Sequence, residues 1–269
     1  MLGAIIGDIV GSRFEWDNNR SKAFEFLTHA QGCAITDDGI MTLAVAQAIL
    51  DCAEDYSDLA QATIVQMQAL GRRYPYPKGG YGGRFSMWIR SSNPMPYNSW
   101  GNGSAMRVSA CGFAAKSLQE TIALSRKVTE VTHNHPEGIK GAEATAVAIY
   151  LARTGCSLPE IRNYITAHYY AIDFKLDDIR ETYEFNESCQ DTVPQALEAF
   201  FESTSFEDAI RNAVSIGGDS DTVAAITGGI AQAYYGIPAE IRKSALTFLD
   251  EYQLNILNDF EEKYNIVTS

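Results

Sequence analysis

An all-α fold in a single domain is predicted by three observations. Ten stretches of the 269-residue chain space their apolar residues three and four apart, the period that lines one face of a helix. Alanine is abundant in most of them, and the alternating Val, Ile and Thr runs that build strands are almost absent. No linker, low-complexity tract or repeat of about 20 to 50 residues breaks the chain, and 46% apolar residues suffice for one large core. One domain over 1–269 is therefore expected.

The first segment carries Gly3, Gly7 and Gly11 at four-residue intervals. Glycine costs a helix about 1 kcal/mol relative to alanine, so the stripe calls for a compensating close approach by another helix. Gly228 and Gly229 mark the partner, and the two segments should cross near the centre and carry Asp8 there. Glu15 is read as ending this first segment. The periodic helices follow over 40–53, 57–71, 104–116, 118–131, 137–153, 157–169, 190–202, 205–214, 221–235 and 238–250. Gly155 and Gly236 supply helix stops, and Pro159 and Pro238 sit in first turns. Between Tyr74 and Gly103 four prolines and several glycines exclude a core helix, apart from a short one over Phe85 to Ser91. A long loop in a compact domain is usually functional.

The formal net charge of -13 excludes binding of nucleic acid through a global basic field. Five scattered cysteines without C-x-x-C spacing argue against a disulfide framework or a zinc ribbon, and fit a reduced, cytoplasmic compartment. The apolar start Met1 to Ile6 is broken by Asp8 and has no basic leader, so neither signal peptide nor membrane association is expected. A monomer is expected.

Two acidic clusters stand at helix starts almost the whole chain apart, Thr36-Asp37-Asp38 and Asp219-Ser220-Asp221-Thr222. The first alone could be merely a cap, because Thr and Asp accept bonds from free helix amides; the second, a D-x-D unit beside glycines, resembles an ion-binding loop. Asp221 and Thr222 could cap the second helix, with Asp219 outside it, after the flexible Gly217-Gly218 pair. Brought together, four carboxylates and two hydroxyls form an oxygen-only cage for hard cations such as magnesium or manganese, and could hold two. Gly101-Asn102-Gly103-Ser104-Ala105-Met106-Arg107 runs from a glycine-rich loop into a helix, where free amides could cradle phosphate; the Lys-Ser/Thr of a P-loop is missing. In Thr132-His133-Asn134-His135-Pro136 the two histidines lack further zinc ligands at suitable spacing. A capping turn with one histidine facing a substrate is the better reading. Glu15 alone is a solvated helix-end acid.

Taken in order, Gly-Asp-x-x-Gly-Ser-x-x-Glu (7 to 15), Thr-Asp-Asp (36 to 38), Gly-Asn-Gly-x-Ala-Met-Arg (101 to 107), Thr-His (132 to 133) and Gly-Gly-Asp-Ser-Asp-Thr (217 to 222) closely resemble the ADP-ribosylglycohydrolase superfamily. The resemblance implies orthogonally packed helices and a binuclear centre of two Mg2+ or Mn2+ ions in a central cleft. It implies Thr36, Asp37, Asp38, Asp219, Asp221 and Thr222 as metal ligands. It places Ser99, Trp100, Gly101 and Asn102 on the diphosphate and ribose with His133 nearby, and Glu15 beside the second metal. The implied substrate is an ADP-ribosylated protein or small ADP-ribose conjugate. A water activated by the cations or by a carboxylate would attack the anomeric carbon, with Asp38 or Glu15 accepting the proton. The family usually carries a hydroxyl residue where this chain has Gly39. A catalytically weak ADP-ribose-binding or immunity-type module on the same scaffold is the alternative, and a magnesium-dependent phosphohydrolase a third reading.

Overall fold

The computed structural model describes residues 1–266, and these form an all-helical domain without strands among the described residues. In chain order the helices are α1 (Leu2–Gly11), α2 (Asp37–Asp51), α3 (Leu59–Arg73), α4 (Gly83–Arg90), α5 (Ser109–Ala114), α6 (Leu118–Thr129), α7 (Pro136–Arg153), α8 (Leu158–His168), α9 (Leu176–Ile179), α10 (Val193–Phe201), α11 (Phe206–Val214), α12 (Ser220–Tyr235), α13 (Ala239–Leu246) and α14 (Glu251–Lys263).

Every residue of α1 is buried, and α1 packs along α12 at the centre of the fold. The predicted glycine stripe makes that crossing. A Cβ on Gly3 would overlap the Gly228 carbonyl, one on Gly7 the Ala224 carbonyl, and one on Gly11 the Ser220 carbonyl. Side chains at these three positions would force the two backbones apart. Around this pair, α2, α5, α7, α10 and α11 pack against it, and α3, α6 and α14 lie outside them. The core is built from short aliphatic groups such as Ile5, Ile9, Val45, Ala146 and Val223.

Four boundaries depart from the sequence reading. α1 ends at Gly11, so Glu15 lies beyond it in the turn that follows. The stretch read as a helix over 104–116 is divided: a single turn at Asn102–Ser104 precedes α5. There the loop is held from outside, since the Asn102 amide donates to the Glu187 carbonyl (2.7 Å) and the Cys189 amide to the Trp100 carbonyl (3.0 Å). The 190–202 helix begins only at Val193, after a turn at Cys189–Asp191. The 238–250 stretch stops at Leu246 because Asp250 starts α14, a helix missing from the sequence reading: its carboxylate accepts from the Gln253 amide, and the Gln253 side chain accepts from the Asp250 amide.

Gly7→Ala is expected to lower stability by about 3 kcal/mol, since the backbones cannot separate without disturbing the core. Gly83→Ala, where added atoms meet open space, should change it by less than about 1 kcal/mol. Thermal or urea unfolding distinguishes the two, and equal small effects would show that the crossing is not tight.

Candidate metal centre and cleft

The start of α2 is fastened to α1 through Asp8. The Thr36 hydroxyl donates to Asp8 Oδ1 (2.7 Å), while the amides of Thr36 (3.0 Å) and Gly39 (2.9 Å) donate to Oδ2. Thr36 also caps the helix, accepting from the Asp38 amide at 3.2 Å. At the start of α12 the chain turns through left-handed Gly217 and Gly218 (φ +71° and +70°). Asp219, rather than Asp221 or Thr222, occupies the capping position, yet its side chain makes no cap bond. It accepts instead from Asn102 Nδ2 at 2.6 Å. The Thr222 hydroxyl donates to Asp38 Oδ1 (3.0 Å), which ties the two helix starts together.

This framework brings carboxylate oxygens of Asp8, Asp38 and Asp221, all buried, within 4.8 Å of one another. Asp37, Asp38, Asp219, Asp221 and Thr222 share the wall of one cleft of about 350 Å³ with Glu15, a size that suits a small-molecule ligand. Thr36 sits behind that wall, its hydroxyl engaged by Asp8 and Asp38. Asp8 belongs to the acid cluster although only its approach to the centre was foreseen. Its place in the cluster depends on the bonds it accepts from the Thr36 and Gly39 amides, which no periodicity reveals.

Burial first, and mutual repulsion second, raise the proton affinity of these acids. Asp8 is pushed from 3.8 to about 8 by burial and by Asp221, against the bonds from Thr36 and Gly39. Asp37, Asp38 and Asp219 are held well above the carboxylate range by burial and the Asp221 charge. Glu15 is raised to about 7 by burial and Asp221, partly offset by Lys78. Its Oε2 is buried without a hydrogen-bond partner and lies under Gly79, where a Cβ would come within 2.8 Å of it. A divalent cation fits such a donor set, because hard oxygens and concentrated negative charge are what it requires.

The substrate-side residues divide in the structure. Ser99, Gly101, Asn102 and His133 line the cleft, whereas Trp100 lies outside it on an adjoining groove with Ser99 and Gly101. The Gly101 amide donates to Ser99 Oγ (3.2 Å) and the Asn102 amide to Glu187, so neither is free for phosphate. His135 caps α7 by accepting from the Glu137 amide, and His133 is the histidine that faces the cleft. Also in the wall are Trp16 and Phe185, stacked with centroids 4.8 Å apart, and Arg84, Tyr97 and Glu187. These the sequence reading missed. Trp16 adjoins Glu15 and could have been found by adjacency; Phe185 and Glu187 reach the cleft only because their segment pairs with the 100–102 loop.

With its all-helical fold and a cleft whose acids stand at helix starts, the chain belongs to the ADP-ribosylglycohydrolase family, a family of hydrolases, whose model matches residues 1–264. It is similar to the mouse ADP-ribosylhydrolase ARH3, at 25% identity over 88% of this chain and 83% of that protein. It is also similar to the ADP-ribosylarginine hydrolase Tri1 of Pseudomonas putida, at 27% identity over 88% of this chain and 70% of that protein. A solved structure described as an ADP-ribosylglycohydrolase-related protein complex shares the fold, with a TM-score of 0.72, 23% identity and coverage of 98% of this chain and 95% of that chain.

Gly39 has a steric explanation here. A Cβ at this position would lie 2.5 Å from Asp8 Oδ2 and 2.6 Å from Ile35 Cγ1, so a hydroxyl residue would displace the Asp8 carboxylate. Gly39→Thr should weaken divalent-cation affinity roughly tenfold, read by titration calorimetry; unchanged affinity would show that Asp8 has slack.

The raised acids also set a pH dependence. The folded chain keeps protons that the unfolded chain has released, so stability falls as pH rises from about 4 towards 8. In chelator-treated protein the unfolding midpoint should therefore drop across this window. Asp8→Asn should flatten the drop, and Mg2+ should raise the midpoint more at about pH 8 than at about pH 5. A flat profile, or an equal Mg2+ effect at both values, would contradict the electrostatic account.

Proposed function

We propose that the protein is a magnesium- or manganese-dependent hydrolase that releases ADP-ribose from a modified protein side chain or a related O- or N-linked conjugate. The carrying observation is the convergence of Asp8, Asp38 and Asp221, from both ends of the chain, beneath a cleft of ligand size. Family membership supports the ADP-ribose moiety, and the two relatives named above act on ADP-ribose linkages by name.

In this reading Asp8, Asp38 and Asp221 hold cations together with Asp37, Asp219 and Thr222, and Thr36 orients the acids from behind. When bound, two such cations neutralise the cluster and draw ribose hydroxyls to it. Asp38 is a poor proton acceptor, since its carboxylate already accepts from the Thr222 hydroxyl and is assigned to a cation. Glu15 is better suited: Oε2 is unpartnered and its affinity for a proton lies near neutrality. We assign it the proton of the water that attacks the anomeric carbon. As the glycosidic bond breaks, its electron pair leaves with the departing side-chain atom, which takes up the proton held by Glu15, while the surrounding carboxylates stabilise the oxocarbenium-like charge. Ser99, Gly101, Asn102 and His133 face the remainder of the ligand, while Trp100 meets it only if the ligand extends into the adjoining groove.

Assayed on a panel of ADP-ribose conjugates (arginine, serine, acetyl ester and nucleobase) with Mg2+, the protein should release ADP-ribose from at least one. Asp221→Ala should lose turnover and cation binding together, by about 100-fold or more. Glu15→Gln should lose turnover but keep cation binding. Release of phosphate instead, binding of ADP-ribose without release from any conjugate, or full activity of Asp221→Ala in chelator would overturn the proposal.

A further inference from the structure

Arg107 and Thr132 stand in two of the sequence motifs, yet neither has a part in the chemistry assigned above. Arg107 is 1% exposed and Thr132 fully buried. The Arg107 guanidinium donates Nη1 to the Gly103 carbonyl (2.8 Å) and Nη2 to Thr132 Oγ1 (2.7 Å). Thr132 Oγ1 lies 2.7 Å from His133 Nδ1. His133 lines the cleft, with Nε2 against Gly101 and Gly103.

We propose that Arg107, acting through the Thr132 hydroxyl, is a positioning group that keeps His133 neutral with its proton on Nε2, so that the ring presents a fixed hydrogen-bond donor to a substrate oxygen in the cleft. The argument follows the protons. Arginine can only donate, so Thr132 Oγ1 must accept from Nη2. The single hydroxyl proton of Thr132 then goes to the one remaining neighbour, His133 Nδ1, which must be an unprotonated acceptor. The reverse arrangement, with Nδ1 protonated, would aim two donors at one oxygen and strand the buried Thr132 proton, at the cost of an unsatisfied polar group. In a neutral imidazole the proton consequently resides on Nε2. Burial, with the Arg107 and Arg84 charges, also holds the ring well below its usual pKa. Among the described residues no hydrogen bond is made at Nε2, which leaves its proton for a ligand.

Two consequences separate this arrangement from a merely packed histidine. His133 cannot accept a proton at Nε2, so the acceptor in the reaction must be a carboxylate. Its contribution is to binding, so losing the lock should raise KM more than it lowers kcat. The ligand half of the proposal rests on the reading of the cleft as an ADP-ribose site; the tautomer half does not.

The test uses the full chain labelled with 15N, with His133 signals identified by their loss in His133→Gln. Long-range 1H–15N correlation should show the Nε2-protonated neutral form between about pH 6 and 8. Thr132→Val, which removes the hydroxyl and keeps the shape, should abolish that single pattern and weaken ADP-ribose binding in Mg2+ roughly tenfold by calorimetry. Thr132→Ser should restore both. An Nδ1-protonated or doubly protonated ring in the wild-type chain, or an unchanged pattern in Thr132→Val, overturns the relay. A wild-type chain with the expected tautomer and no ADP-ribose binding supports the relay and overturns the reading of the cleft.

Discussion

The repulsion among buried carboxylates is the constraint on which the rest of this structure depends. Asp8, Asp38 and Asp221 come from three helices and are held within 4.8 Å of one another, in an interior where like charges repel strongly. Only a rigid frame can hold them so. The frame is the α1–α12 crossing, whose backbones meet at Gly3, Gly7 and Gly228, together with the bonds that fasten Thr36 and Gly39 to Asp8. Packing of aliphatic side chains around α1 supplies the stabilisation that offsets an acid cluster otherwise adverse to folding. The acid cluster and the core are one design problem, and glycine at three turns of α1 is its solution.

In the proposed function, a chain with a formal charge of -13 must still hold a diphosphate. Arg84 and Arg107 both reach the cleft wall, and Lys78 lies close enough to Glu15 and Asp221 to lower their proton affinity. Arg107 is buried and committed to Gly103 and Thr132, so its charge acts through the field and through His133 more than by contact. Cations on the acid cluster would reverse the local sign. Positive charge is thus concentrated at the cleft, and the surface can remain acidic.

Much of this was legible in the chain because the signals were local. Helical spacing located most helices, the Gly3, Gly7, Gly11 stripe announced the central crossing, and the paired Asp clusters announced the cleft acids. The failures share a physical cause. The 100–104 loop is shaped by partners at 187–189, the start of α2 by Asp8, and the Arg107 side chain by Thr132; a one-dimensional pattern carries no trace of such distant pairings. α14 is different, since the Asp250 and Gln253 capping box was present in the sequence and was overridden by an apolar period that ran on to 250. Glu15 was tied to the wrong element for a similar reason, the segment appearing longer than α1 proves to be.

The central claim is that acids from the two ends of the chain jointly hold two divalent ions. Electron paramagnetic resonance of Mn2+-loaded protein addresses it directly, because two ions about 3.5 to 4 Å apart give a spin-coupled spectrum distinct from that of isolated ions. The account predicts a coupled pair that is lost in both Asp38→Asn and Asp221→Asn. A spectrum of isolated Mn2+ only, or a coupled pair indifferent to either substitution, would contradict it.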